Sequence, residues 1–211
     1  MKKAKCKICR RLGIKLFLKG EKCLSPKCPM IKRPYPPGEK RKRRISPLSE
    51  YGKEMREKQR LKKWYNLKER QFKNYVKEVL QLRGKVEEDL GEVLIKKLER
   101  RLDNVIYRAG FATSRSQARQ LVVHSHFLVN KKHVKSPSFE VKKGDEIEVK
   151  ESSKNKNYFK NIVLRLKEYQ PPSWISVDKN NLKIKIIGEP SLEETAPPVE
   201  SISRIFEFYS K

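Results

Sequence analysis

Apolar positions recur at helical spacing over three stretches of this chain and then switch to alternation. Phe72, Tyr75, Val76, Val79 and Leu80 stand at i, i+3, i+4, i+7 and i+8, the pattern of an amphipathic helix. A heavily basic segment over 49–65 also reads as helical, and a turn is expected at Asn66 between the two. After Gly84 a third stripe runs through Val93, Leu94, Leu98, Leu102, Val105, Ile106 and Ala109. It predicts one continuous helix, closed by Gly110 as a glycine closes many helices. A short helix follows. Ser114 is a natural N-cap, Gln117 three residues on completes a capping box, and Ala118, Leu121 and Val122 share an apolar face. The period then falls to two. Phe127, Leu128, Val129 and Asn130 read as a strand before a Lys131-Lys132 turn; Phe139-Glu140-Val141 leads on to a strictly alternating strand over 146–150. Residues 98–150 are therefore expected to form a compact unit of two helices and a small antiparallel sheet. Beyond it, 154–168 reads as helix, 182–187 as strand and 189–198 as an acidic loop. Within 1–45 only 12–18 shows helical spacing. Trp64, Tyr65, Phe72 and Tyr75 fall on apolar faces, so they are expected to pack between helices rather than stack on bases.

Charge turns this pattern toward a polyanion. The 211 residues carry 52 Lys and Arg against 25 Asp and Glu, a formal charge of +27. Such a surplus repels itself unless a polyanion neutralises it, which makes nucleic acid the leading partner and an anionic membrane the second. No apolar run is long enough to span a bilayer, and no secretory or lipidation motif is evident. The charge is graded: residues 1–50 carry +14, 51–100 +6, 101–150 +5 and 151–211 +2. A surplus heaped at one end suits an N-terminus embedded in nucleic acid and a C-terminus facing something else.

The candidate phosphate contacts follow from spacing. Arg115 and Arg119 are four apart, so both guanidinium forks are expected on one side of a helix whose N-terminus is itself positive, with Gln120 beside them. Arg101 and Arg108 extend that face at seven-residue spacing. Lys40, Arg41, Lys42, Arg43 and Arg44 follow a Pro- and Gly-rich turn, and Lys53, Arg56, Arg60 and Lys63 form the basic face of the 49–65 helix. His124, His126 and His133 are read as surface or RNA-contacting residues.

All four cysteines lie within the first 28 residues, as Cys6-x2-Cys9 and Cys23-x4-Cys28. Two close pairs separated by a loop read as a tetrahedral thiolate site, most simply structural zinc; an iron–sulfur cluster remains the alternative. Disulfides are disfavoured, because nothing in the sequence suggests an oxidising compartment. Lys7, Arg10, Arg11 and Lys27 flank the cysteines and are expected to lower the thiol pKa values.

A resemblance rests on long ungapped motifs. Residues 98–108 (Leu-Glu-Arg-Arg-Leu-Asp-Asn-Val-Ile-Tyr-Arg), Gly110-Phe111-Ala112 and Ser114-Arg115-x-x-Ala118-Arg119-Gln120-Leu121-Val122 are similar to ribosomal protein number four of the small subunit, in its bacterial form. So are His124-x-His126, Val129-Asn130, Gly144-Asp145-x-Ile147, Ser49-Glu50-Tyr51-Gly52, Glu69-Arg70-Gln71-Phe72 and the closing Glu207-Phe208-Tyr209-Ser210-Lys211. The paired cysteines resemble the metal-binding subset of that family. The resemblance implies a primary binder of small-subunit ribosomal RNA that grips a multi-helix junction in the 5′ region and starts subunit assembly. It further implies a cytoplasmic place in the ribosome, near the messenger entry path, contact with neighbouring protein number five, and a contribution to decoding accuracy. No membrane or small-molecule substrate is implied.

The expected fold class is α+β: a mostly helical domain with an N-terminal metal-binding extension, plus an inserted RNA-binding module of two helices packed on a short antiparallel sheet. The expected divisions are 1–45 for the metal-binding extension, 46–97 for the first helical part, 98–153 for the module and 154–211 for a segment returning to the helical domain. Two departures from the family stand out. Lys131 occupies a turn position usually filled by glycine, which predicts a remodelled turn, and 189–203 matches poorly. The alternatives to this function are an RNA-modifying enzyme or a ribosome-associated stress factor sharing the small RNA-binding module, and a zinc-dependent DNA regulator. Arg101-Leu102-Asp103 echoes the catalytic context of pseudouridine synthases, but no catalytic domain is left over elsewhere in the chain. A zinc-dependent DNA regulator explains the cysteines and the charge but not the central module.

Overall fold

The computed structural model describes residues 4–38 and 47–210. The basic run Lys40, Arg41, Lys42, Arg43 and Arg44 lies outside the described residues. In chain order the helices are α1 (Lys5–Leu12), α2 (Glu21–Leu24), α3 (Pro29–Lys32), α4 (Glu50–Trp64), α5 (Glu69–Leu80), α6 (Leu90–Glu99), α7 (Leu102–Arg108) and α8 (Arg115–Val123). Strands β1 (Phe127–Val129), β2 (Lys132–His133) and β3 (Glu146–Val149) follow. Then come α9 (Glu151–Lys154), α10 (Asn157–Glu168), β4 (Ile175–Asp178), β5 (Lys183–Ile186), α11 (Leu192–Thr195) and α12 (Ser203–Ser210). The chain divides into two compact units, Met1–Leu94 with Ala196–Lys211, and Ile95–Thr195.

In the first unit the N-terminus departs from expectation. The helix forms over Lys5–Leu12 instead of 12–18, and Gly13, at φ 74°, ends it by donating to the Cys9 carbonyl. The left-handed glycine forces the chain out of the helix where the weak 12–18 periodicity would continue it. Further on, the basic helix forms as α4, capped by the Ser49 hydroxyl, which accepts from the Gly52 amide. Asn66 takes the expected turn at φ 56°. Trp64, Tyr65 and Phe72 are buried and Tyr75 half-buried, in keeping with packing between helices.

The last helix, α12, packs on α4 and α5 through Tyr51–Phe208 and Phe72–Tyr209 ring contacts. Lys58 places its ammonium 3.9 Å from the Phe208 ring centre and 2.9 Å from a Glu69 oxygen. Lys62 and the Tyr209 hydroxyl donate to the same carboxylate. Burial opposes ionisation of Glu69, but these three donors outweigh it and bring the carboxyl from 4.5 down to about 2. A depressed carboxyl stabilises the fold above its unfolded pKa and loses that contribution as pH falls toward its folded one. The α12 docking is therefore expected to weaken between pH 4.5 and about 2. Glu69→Gln should flatten that part of the thermal-melting profile; an unchanged profile would remove the cluster from the account.

In the second unit the predicted long helix breaks in two. Arg101 is extended (φ −66°, ψ 134°) and forms a bridge with Glu140. Backbone bonds from Val141 to the Arg100 carbonyl and from Leu102 to the Phe139 carbonyl hold the break. Asn104 Nδ2 donates to the freed Glu99 carbonyl at the end of α6. Local periodicity cannot register this interruption, because a strand-like partner 39 positions away, Glu140, causes it. Gly110 closes α7 at φ 83°, as expected.

The sheet is larger than expected. Its order is β2-β1-β3-β5-β4, antiparallel throughout. β5 pairs with β3, Ile184 facing Ile147, so the segment after 153 joins the module's sheet. Phe159, Ile162 and Leu166 of α10 share one core with Phe111, Phe127, Val129 and Ile147. The expected division at 153 is thus corrected: the second unit runs on to Thr195, and only Ala196–Lys211 belongs to the first. The physical reason is burial, since β3 and the α7–α8 layer need α10 and β5 to cover their apolar faces. The Lys131 turn is also not remodelled. Asn130 and Lys131 sit at φ 48° and 64°, a two-residue turn of the type that matches strand twist. A lysine in that region costs roughly 1–2 kcal/mol relative to glycine.

Candidate nucleic-acid interface

The loop entering α8 is fixed from both sides. On one side the Ser114 hydroxyl accepts from the Gln117 amide, as the capping box predicts. Gln117 reaches back, however, to the amide and hydroxyl of Thr113, at 2.8 and 2.7 Å. On the other side α10 saturates the loop's carbonyls. Tyr169 donates to Arg108, Arg165 to Gly110, and Tyr158 to Phe111. Burial pushes the Tyr158 hydroxyl up to about 12 and raises that of Tyr169, so both stay protonated donors. A methyl at Gly110 would stand 2.6 Å from the Tyr169 ring. The start of α8 is therefore rigid before any ligand arrives.

Beneath it lies an acid-and-amide network. Glu99 is fully buried and accepts from Arg108 Nε at 2.9 Å and Asn104 Nδ2 at 2.7 Å. Asn104 Oδ1 in turn accepts from Arg115 Nε at 2.7 Å. The Arg115 guanidinium lies 4.5 Å from the Tyr107 ring centre. Arg101 grips Asp103 through two bonds of 3.1 and 2.8 Å. Burial pushes the Asp103 carboxyl up against the pull of Arg101 and Arg119.

This arrangement redistributes the predicted contacts. Arg101 is 1% exposed and Arg115 7%, so neither forms part of an outward face. Arg115 points inward because Asn104 and Glu99 offer it partners that water would otherwise supply. Arg108 is half-buried on Glu99 and the Thr195 carbonyl. Arg119 keeps 30% of its side chain exposed, 3.8 Å from Asp103, and Gln120 is exposed. The expected pair of forks thus reduces to Arg119 with Gln120 at the surface, supported by the other arginines. Glu99 and Asn104, which sequence reasoning passed over, are the signal it could have used: two polar residues set among the apolar positions of a core stripe.

On α4, Arg56 is exposed, while Lys53, paired with Glu50, and Lys63 are half-buried. Lys53 and Arg56 line a cavity of about 420 Å³ with Glu57, Glu200 and Arg204. Arg60 turns inward to Glu57 at 2.6 Å and Glu200 at 2.9 Å, so it leaves the predicted basic face. His126 Nδ1 stands 2.9 Å from the Ser153 hydroxyl, and burial, with Lys156 and His124 nearby, lowers its pKa. It is a packed residue, edge-on to Phe159, whereas His124 and His133 are exposed. Asp103, the echo of a synthase aspartate, is buried and clamped by Arg101.

Cys6, Cys9, Cys23 and Cys28 line a single cavity of about 10 Å³ with Leu16, Phe17 and Leu18. The Lys19 amide donates to Cys23 Sγ at 3.4 Å. Burial pushes the Cys9 thiol up; a backbone bond from Leu16 opposes this and the other three thiols add to it. The expected lowering by flanking cations is overturned at Cys9. Among the described residues, no group of three or more His, Cys, Asp or Glu is already gathered into a metal-holding cluster. No helix among them is long and apolar enough to cross a membrane.

A small helix-on-sheet module that stiffens a cationic surface with buried acids defines a nucleic-acid-binding protein. Residues 1–99 match the ribosomal protein S4/S9 N-terminal domain, and residues 100–147 match the S4 domain. Small ribosomal subunit protein uS4 of Thermus thermophilus is 45% identical over 206 residues, covering 98% of this chain and 96% of that relative. The same-named proteins of Caldicellulosiruptor saccharolyticus and Thermotoga maritima are 47% and 45% identical over the same shares. The chain belongs to the ribosomal protein uS4 family.

Proposed function

We propose that this protein is a structural constituent of the small ribosomal subunit, bound to its ribosomal RNA and performing no covalent chemistry. Its place is the cytoplasmic ribosome. The observation that carries this reading is the α8 entry, locked by Gln117, Tyr158, Arg165 and Tyr169 so that Arg119 and Gln120 face outward. Preordered cations suit folded RNA, whose phosphates and shallow minor groove are recognised by shape. The site it grips is a multi-helix junction in the 5′ region, and its binding starts assembly. It lies near the messenger entry path and touches protein number five, contributing to accuracy of decoding.

The test is binding of the full chain to a 5′-region transcript across a salt series. Arg119→Ala should weaken binding and reduce the salt slope by about one. An unchanged slope would take Arg119 out of the interface.

The four cysteines hold structural zinc in this reading, with an iron–sulfur cluster as the alternative. All four cysteines border one small cavity, and the Lys19 amide is directed at Cys23 Sγ; this shared neighbourhood and the spacing of the two pairs support it. The metal would tie α1, through Cys6 and Cys9, to Cys23 of α2 and to Cys28 at the start of α3, supplying cohesion and no reaction step. Metal analysis of purified protein should find about one zinc per chain; iron with inorganic sulfide would select the alternative, and neither would overturn both.

A further inference from the structure

Two loops at one end of the module's sheet each carry a pair of adjacent lysines. Lys131 and Lys132 lie at the β1–β2 turn, Lys142 and Lys143 just before β3, and all four are exposed. Asp145 fastens the loops together. One of its carboxylate oxygens accepts from Asn130 Nδ2 and the other from the Lys142 amide, both at 2.8 Å. Asn130 completes the clamp: its Oδ1 accepts from the Glu146 amide at 2.9 Å, and its own amide donates to the Glu146 carbonyl. Asp145 is thereby spent on neutral donors. The next carboxylate, Glu146, stands 3.7 Å from Lys185. Among the described residues none of the four ammonium groups has an ion-pair partner.

The second observation is strain. Lys131 is held at φ 64° beside Asn130 at 48°. Glycine serves that position without steric cost, so the turn itself gains nothing from lysine. Strain kept at an exposed position points to a task for the side chain. An ammonium there offers one thing, a positive charge on a flexible stem, which suits phosphate more than a base edge.

We infer that this four-lysine tip is a second phosphate-binding surface, which grips the backbone of structured RNA separately from Arg119 and Gln120. The inference rests on the RNA-binding reading above. The clamp makes it more than loose charge: Asp145 and Asn130 tie the two lysine-bearing loops together at one end of the sheet.

The test uses the full chain and a 5′-region small-subunit transcript across a salt series, with thermal melting of each variant. Lys131→Gly should melt higher than wild type yet bind about three- to tenfold weaker, with the salt slope reduced by about one. Lys142→Ala with Lys143→Ala should reduce it by about two. Lys160→Ala, an equal charge loss on α10, should leave the slope unchanged. A Lys131→Gly variant that melts higher and binds as wild type does would overturn the inference alone. Equal losses in Lys131→Gly and Lys160→Ala would also overturn it, because bulk charge would then suffice. Wild type failing to bind the transcript would overturn the underlying reading as well.

Discussion

Chelating the proposed zinc is expected to unravel residues 4–38 while Ile95–Thr195 keeps its protection from hydrogen exchange. Three short helices make up that segment, of eight, four and four residues. Its buried apolar side chains are Leu16 and Leu18 beside three of the cysteines. Helices of that length do not persist alone, and so few buried side chains cannot offset the entropy of ordering the chain. Structural zinc in small modules supplies on the order of 10–16 kcal/mol, far more than any other single interaction here. The second unit owes nothing to the cysteines, because its core is built from Leu102, Phe111, Phe127, Phe159 and their neighbours. Exchange mass spectrometry of the full chain, with and without chelator, separates the outcomes. Loss of protection in both units together, or in neither, would contradict this division.

Removing the Glu99 carboxylate is the second large effect expected. Glu99→Ala would remove the buried carboxylate that accepts from Arg108 and stands 4.0 Å from Arg115, and would strip Asn104 of an acceptor. Breaking one partner of a buried ionic group costs about 3–5 kcal/mol. The damage should reach the proposed RNA surface, because the network sits beneath the turn that enters α8. Chemical denaturation should show the stability loss. RNA binding by the fraction that remains folded should weaken more than that loss of folded protein explains. A variant as stable as wild type would show that the arginines find water or other partners, and that the network is dispensable.

Much of this architecture was legible in the sequence, and the reasons are local. Ser114 and Gln117 marked the start of α8 because capping chemistry is confined to a few residues. The amphipathic spacing of Phe72 to Leu80 gave α5, and the alternation of 146–150 gave β3. What escaped was set by partners distant in sequence. The break at Arg101 depends on Glu140. The membership of β5 in the module depends on its pairing with β3. The largest revision concerns charge. Sequence counts cations but does not say which of them find an internal acid. Arg60, Arg101 and Arg115 each have one or an equivalent amide, so the surface is less arginine-rich than the spacing suggested. The reverse holds at Lys131, where a residue disfavoured by its backbone angle remains exposed.

The rival classes separate on the same features. A synthase needs an accessible aspartate, and Asp103 is committed to Arg101. A DNA regulator does not account for the S4 domain matched over residues 100–147.

The central claim is that a cation surface organised in advance by folding recognises folded ribosomal RNA. Competition binding tests it most directly, with the full chain offered a 5′-region small-subunit transcript against duplex DNA of equal phosphate number at one ionic strength. The account predicts clear retention on the transcript. Equal partition between the two, or preference for the duplex, would contradict it.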